Sequence, residues 1–218
     1  MIDGAGVTLP TILAFDTSAA YCAAAVLHGG RIATRTDEMS KGQAEHLMPM
    51  LEEMLADAGL TWSDLDGIGV GIGPGNFTGI RISVAAARGL ALGLGKKAIG
   101  VSTLDALSFN LPGAITCLKA PRGRAYVQMN GVAALCEITK DDLPHLHPHS
   151  ETCVVGDAAH EIGQVLGLPV LPPRQSVIEG IARIAASGLH LPSKPPAPLY
   201  LRDADAAPPR DPAPVLLP

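Results

Sequence analysis

The chain has 218 residues, enough for one large domain or two small ones with a real core, and 16 Lys+Arg against 21 Asp+Glu leave a formal charge of −5. A hydrophobic fraction of 47% excludes global disorder, while the acidic balance and the 3% aromatic fraction argue against autonomous binding to RNA or DNA, which needs cations for phosphates and rings for bases; a local basic patch stays compatible. Only 17% of residues are charged, which suggests surface hidden against a partner. The longest small-apolar stretch, residues 84–94, is interrupted by Arg88 and too short to span a membrane, and Asp3 with no basic region ahead of an apolar run speaks against a secretion signal. Cys22, Cys117, Cys136 and Cys153 are scattered with no CxxC pair and read as buried reduced thiols of a cytoplasmic protein.

Residues 1–10 read as a loose leader. Residues 12–15 form a short apolar strand ending in the turn Asp16-Thr17-Ser18. Residues 21–27 form a second strand, and His28-Gly29-Gly30 turns into a third at 31–34. Leu47, Met50, Leu51, Met54, Leu55 and Ala58 recur at spacings of three and four, which predicts a helix stopped by Gly59. Pro49 leaves its start open: the helix begins near Met48, or an earlier turn from Gln43 is kinked there. Residues 66–72 alternate Gly with Ile and Val, a strand that other backbone approaches closely, and run into Gly73-Pro74-Gly75-Asn76-Phe77-Thr78-Gly79. Residues 80–93 form a small-faced second helix, 98–101 a strand, and Ser102-Thr103-Leu104-Asp105 caps a third helix through Leu107. Past Asn110 come short strands at 114–118, 126–129, 132–138 and 152–155, a helix at 157–166, and a helix from the capping box Ser176-Val177-Ile178-Glu179 to Ser187. Nine of the 19 prolines fall in the last 27 residues, so the tail is extended, with Leu199-Tyr200-Leu201-Arg202 as its apolar anchor. The predicted division is a leader 1–10, an N-terminal half-domain 11–110, a smaller, degenerate second half-domain 111–190, and a Pro-rich tail 191–218.

The order β-β-β-α-β-α-β predicts an α/β fold of the actin/Hsp70-like, ribonuclease H-like (ASKHA) type, with two half-domains that each carry a mixed sheet and flanking helices. ATP-using members hold phosphate and Mg²⁺ with an acidic residue in the first hairpin followed closely by glycine. Asp16-Thr17-Ser18-Ala19-Ala20 lacks that glycine, so the plainer role of Asp16 is a turn residue whose carboxylate binds local N–H groups. The glycine elbow at 73–79 leads into a helix start whose N–H groups suit an anion. Candidate nucleotide or anion contacts are therefore Asp16, Gly73, Gly75, Thr78 and Arg81. The elbow matches neither a Walker loop nor a dinucleotide fingerprint, and its plainer reading is a structural turn with Arg81 in a salt bridge.

No catalytic residue and no metal site are predicted. His145, His147 and His149 share one strand face by spacing, but Pro144 and Pro148 break a strand there, so a polar loop is preferred. His46 lacks the partner zinc hydrolysis needs, no GxSxG is present, and Cys22 and Cys153 have no base nearby in sequence.

Several segments coincide with one family: Ile12-Leu13-Ala14-Phe15-Asp16-Thr17-Ser18, Leu47-Met48-Pro49-Met50-Leu51, Gly73-Pro74-Gly75-Asn76-Phe77-Thr78-Gly79-Ile80-Arg81 with Gly89-Leu90-Ala91-Leu92-Gly93, Gly100-Val101-Ser102-Thr103-Leu104-Asp105-Ala106-Leu107, and Tyr200-Leu201-Arg202. The chain resembles the TsaB (YeaZ) family of bacterial tRNA threonylcarbamoyladenosine synthesis, densely over 12–108, thinly over 109–190, and again at the tail. The resemblance implies a non-catalytic subunit that pairs with a catalytic paralogue, TsaD, which binds the metal and transfers threonylcarbamoyl to the adenosine beside the anticodon. An ATPase, TsaE, joins the pair, and tRNA is reached only through the complex. It further implies a partner interface on the first two helices, here Leu47, Met50, Leu51 and Met54 with Ile82, Ala86 and Leu90. No cofactor of the chain's own is expected, with ATP or ADP at a partner interface as the open case, and a homodimer would compete for the same helices. Glycoprotease activity has no support in these residues. The different-class alternative is a free-standing nucleotide-binding phosphotransferase or hydrolase, resting on Asp16 and the elbow. Three positions depart from the family pattern: Gln43 stands where His is common, Asn76 replaces Ser, and Lys119-Ala120-Pro121-Arg122-Gly123 replaces Asp-Ala-Arg-Arg-Gly, reversing a charge.

Overall fold

The computed structural model describes residues 9–143, 146 and 148–201. Three antiparallel strands open the chain: β1 (Ile12–Asp16), β2 (Tyr21–His28) and β3 (Arg31–Glu38). β3 outruns its predicted end because polar residues anchor the extension. Arg35 pairs with Asp37 at 2.8 Å and with Glu53 of the next helix at 2.7 Å. That helix, α1 (Gln43–Asp57), starts at Gln43 and runs through Pro49, whose ring faces solvent on the exposed side. A short 3-10 turn at Trp62–Asp64 leads to β4 (Gly67–Gly71), parallel to β1. Then α2 (Phe77–Leu94) crosses to β5 (Lys97–Val101), parallel to β4, and α3 (Thr103–Ser108) follows. The first sheet has the order β3-β2-β1-β4-β5.

α2 is longer than the predicted 80–93 and, by length and composition alone, long and apolar enough to cross a membrane. Sheet packing accounts for part of its apolar content: Ile80, Val84 and Ala87 are buried, while Arg81, Arg88 and Leu92 are exposed.

The second sheet combines β6 (Ile115–Ala120), β7 (Arg124–Met129), β8 (Val132–Glu137) and β9 (Val154–Gly156) in the order β8-β7-β6-β9, with β9 parallel to β6. It repeats the meander-plus-parallel-strand order of the first sheet with one strand fewer. α4 (Ala159–Leu166) covers it, with Ile162 packed among Ile115, Cys117, Val127 and Val154. The expected ASKHA-type pair of mixed sheets with flanking helices is present.

The chain division at 110 needs one correction. α5 (Val177–Gly188), expected in the second half-domain, packs on the first sheet. Ile178, Ile181, Ala182 and Ala185 meet Ile12, Ala14, Ala25 and Ile99, on the face opposite α1 and α2. The physical reason is that β1 is buried on both faces, so its sheet needs a second covering layer. The tail also returns to this half: Leu199 N donates to Ile72 O at 2.8 Å. Residues 1–8 of the expected leader 1–10, the tail from Arg202 onward, and His145 and His147 lie outside the described residues.

Gly180 lies where α5 meets α3, and a methyl group there would run into the backbone of Ala106. Gly180→Ala is expected to lower the unfolding free energy by about 1–3 kcal/mol through overpacking, against a helix-propensity gain of about 1 kcal/mol. A denaturation midpoint that stays level or rises would refute this docking of α5.

Candidate functional site

The turn after β1 and the elbow after β4 are packed together. Thr17 Oγ1 donates to Gly79 O at 2.7 Å, and Asn76 N donates to Ser18 O at 2.6 Å. Gly75 and Gly79 are glycines because a Cβ at either would collide with the Ser18 or Thr17 backbone. Gly73, at φ +96°, hands its carbonyl to Thr103 N at 2.9 Å, which ties α3 to the same point. At the start of α2, Asn76 Oδ1 accepts from Thr78 N at 2.9 Å and Gly79 N at 3.1 Å. Asn76 thus caps α2.

Asp16 is fully buried. Its carboxylate accepts from Ser18 N at 3.1 Å, Ser18 Oγ at 2.8 Å and Tyr21 Oη at 2.7 Å. Burial drives its pKa above the ordinary carboxylate value, with those hydrogen bonds opposing. Burial and the Asp16 charge push the Tyr21 hydroxyl up as well. A cavity of about 190 Å³ on the α5 side is lined by Asp16, Tyr21, Thr36 and Ser176 among others. Tyr21 is the member of this cluster that sequence reasoning missed, and only its place across the hairpin from Asp16 hinted at it.

The five candidate anion contacts do not converge. Gly73, Gly75, Thr78 and Arg81 are absent from the lining of the Asp16 cavity, and the nearest helix N–H groups are already capped by Asn76. The elbow packs against the chain's own Thr17 and Ser18. Arg81, expected in a salt bridge, is instead held by aromatic rings. Its guanidinium lies 3.9 Å from the Phe77 ring centroid, its Nε donates to Tyr200 Oη at 2.9 Å, and Phe77 and Tyr200 stack at 4.5 Å. This clasp fastens the tail to α2.

The expected partner stripe also needs correction. Leu47, Met50, Leu51 and Met54 are 7% exposed or less and belong to the core between α1 and the sheet, with Phe15, Val26 and Val70. The sheet claims the whole apolar side of α1, so none of the four is free for another chain. Ile82, Ala86 and Leu90 are half-buried at the margin of that core, and Met48, which the spacing analysis passed over, joins them there. Of the other departures, Gln43 Nε2 donates to Ala19 O at 3.0 Å, and Lys119 pairs with Glu161 of α4 at 3.0 Å, which supplies a local reason for its reversed charge. Among the described residues, no three His, Cys, Asp or Glu side chains are grouped to hold a metal.

The raised pKa of Asp16 fixes the sign of a pH effect. The protonated carboxyl suits the buried site, so its stability contribution is complete below the unfolded pKa and is lost as pH rises through the folded one. Asp16→Asn keeps the size and removes the charge. Wild type is therefore expected to lose stability relative to this variant as pH is raised from 3 towards neutrality. Parallel stability curves for the two chains would contradict the raised pKa of Asp16.

A family model described as TsaD, tRNA N6-adenosine threonylcarbamoyltransferase, matches residues 37–204. The chain is 36% identical over 98 residues to a tRNA threonylcarbamoyladenosine biosynthesis protein TsaB of Haemophilus influenzae, covering 45% of this chain and 42% of that protein. The chain thus matches less than half the length of this curated relative. It is 30% identical over 213 residues to an uncharacterized protein of Mycobacterium tuberculosis, covering 93% of this chain and 96% of the other. Among solved structures, YeaZ from Pseudomonas aeruginosa matches with a TM-score of 0.65 and 25% identity, over 88% of this chain and 100% of that one. A further Pseudomonas aeruginosa structure, described as similar to peptidase YEAZ, matches with a TM-score of 0.69, 27% identity and the same coverage. With the glycine elbow, the paired mixed sheets and these matches together, the chain belongs to the TsaB/YeaZ family, related to the TsaD-type threonylcarbamoyltransferases.

Proposed function

We propose that the chain is a non-catalytic scaffold that activates a TsaD-like catalytic paralogue in tRNA threonylcarbamoyladenosine synthesis. A TsaE-like ATPase is the third component, and tRNA is reached only through the complex. The observation that carries this reading is the packed elbow. The place where an ATP-using relative would need open backbone is filled by the chain's own Thr17 and Ser18. The same packing weighs against a free-standing phosphotransferase or hydrolase, because Asp16 is already engaged by Ser18 and Tyr21.

The docking face is the margin between α1 and α2, where Met48, Ile82, Ala86 and Leu90 are half-buried. The outer side of α1 carries Glu45, Glu52, Glu53 and Asp57, so acidic residues border the apolar seam. ATP or ADP, where it enters, sits at the joint with the paralogue. A homodimer would use the same face and give way to the paralogue. The four cysteines are unpaired and buried, which fits work in the reducing cytoplasm, and burial pushes Cys22 up to about 11 and Cys117 up to about 12.

Co-purification with the paralogue and rescue of the modified nucleoside in a depleted strain test this reading. Ile82→Glu places a charge in the seam at a half-buried position on the margin of the core. It is expected to weaken pairing about tenfold or more and to reduce rescue, while the thermal midpoint changes little. A chain that never pairs, or that rescues equally well with Glu at this position, would defeat the proposal.

A further inference from the structure

An open groove of about 610 Å³ lies between the C-terminal half of α2, the start of β5 and tail residues 193–196. Its lining is aliphatic at Ala91, Leu92, Ala98, Pro195 and Pro196, and Leu92 is 86% exposed. Arg88, Lys96, Lys97 and Lys194 complete the lining. Lys97 Nζ donates to the carbonyls of Leu189 at 3.0 Å and Leu191 at 3.4 Å. Among the described residues, none of these four cations has a carboxylate within salt-bridge distance. Lys96 and Lys97 suit the negative end of the α2 dipole, but Arg88, seven residues before the Gly95 cap, and Lys194 lie outside that role. Four cations thus gather at one groove in a chain whose formal charge is −5.

The groove selects among anions. A small phosphate or nucleotide wants fixed donors, and here the cations sit on long, mostly exposed side chains with no helix N-terminus in the lining. A nucleic-acid backbone would satisfy the charges and leave Leu92 in water. A protein segment with an aliphatic side chain between carboxylates satisfies both. β5 adds to this choice. It is an edge strand, and the tail beside it carries Pro192, Pro195, Pro196 and Pro198, which have no N–H to offer a ladder. We propose that this groove docks an extended acidic segment of a partner protein, with an aliphatic side chain over Leu92 and carboxylates against Arg88, Lys96 and Lys194. Helical spacing puts Arg88, Ala91 and Leu92 on the flank of α2 away from Ile82 and Ala86. The groove therefore stays open when the α1/α2 margin is occupied, and it stands apart from the pairing with the paralogue.

The test uses the full chain and a short fluorescein-labelled peptide of Glu and Asp carrying two Leu, followed by anisotropy at low salt. A matched Gln/Asn peptide and a single-stranded RNA of equal charge serve as comparators. Saturable binding of the acidic peptide is expected, weakened about tenfold or more in the double variant Lys96→Glu, Lys194→Glu and weakened in Leu92→Ser, with circular dichroism unchanged in both because the sites are at the surface. Ile82→Glu should bind the peptide as wild type does, which separates this surface from the pairing face. The proposal is overturned if the acidic peptide does not saturate, if the Gln/Asn peptide binds equally, if the RNA binds more tightly, or if Ile82→Glu costs as much as the groove variants.

Discussion

The contact between the Asp16-Thr17-Ser18 turn and the glycine elbow governs this fold, because four distant stretches of chain meet there. Thr17 and Ser18 come from the first hairpin, and Asn76 and Gly79 from the start of α2. Thr103 opens α3 on the Gly73 carbonyl, and Leu199 brings the tail to Ile72 one residue earlier. Tyr21 holds the Asp16 carboxylate beneath. Backbone touches backbone at Gly75 and Gly79, so no side chain larger than hydrogen fits at either place without moving the hairpin. A backbone this tightly committed to itself has few N–H groups left for a ligand, and the cap from Asn76 takes two more.

That commitment leaves the surface elements as the parts of the fold still open to other molecules. α2 shows how. One side rests on the sheet through Ile80, Val84 and Ala87, a second flank with Ile82 and Ala86 lies half-buried at the margin of the core, and a third borders the basic groove at Arg88 and Leu92. Of its small residues, Gly79 and Ala87 are buried against neighbours, whereas Ala85, Gly89 and Gly93 face open space. A single helix thus holds three flanks of the fold in fixed relation to one another.

Periodicity and turn chemistry made most elements legible in the sequence. The first hairpin, the elbow, and the caps at Ser102 and Ser176 all depend on local rules, and the structure has them where those rules put them. The misses share one cause, which is tertiary contact. Pro49 is carried inside α1 because its side faces solvent while Leu47, Met50 and Leu51 hold the helix to the sheet. β3 is prolonged by Arg35 and Asp37 binding one another and α1. The stripe on α1 reads equally as a partner surface or a core surface, since spacing records only that one side is apolar. What decides is the sheet beneath it, apolar on both faces, and the pattern of β1 alone carries that information weakly. The fully buried carboxyl of Asp16 and its bond to Tyr21 were illegible for the same reason, since burial at that turn is imposed by α5 and the elbow.

The position of α5 has a consequence for how the surfaces arise. The first sheet is missing one covering layer until Ile178, Ile181 and Ala185 arrive, and these come after the whole second sheet in the chain. The second half therefore sits as an insertion between α3 and α5. Only after α5 docks does the chain run past Leu189 and Leu191, where Lys97 fixes it, and along β5 to the clasp at Tyr200. That stretch supplies one wall of the basic groove and the cover over the elbow. Both surface features thus depend on contacts between residues nearly a hundred or more positions apart, as Arg81 with Tyr200 and Lys97 with Leu189 illustrate. A partner that reads the groove would consequently read a completed fold, because no fragment ending before the tail contains both of its walls.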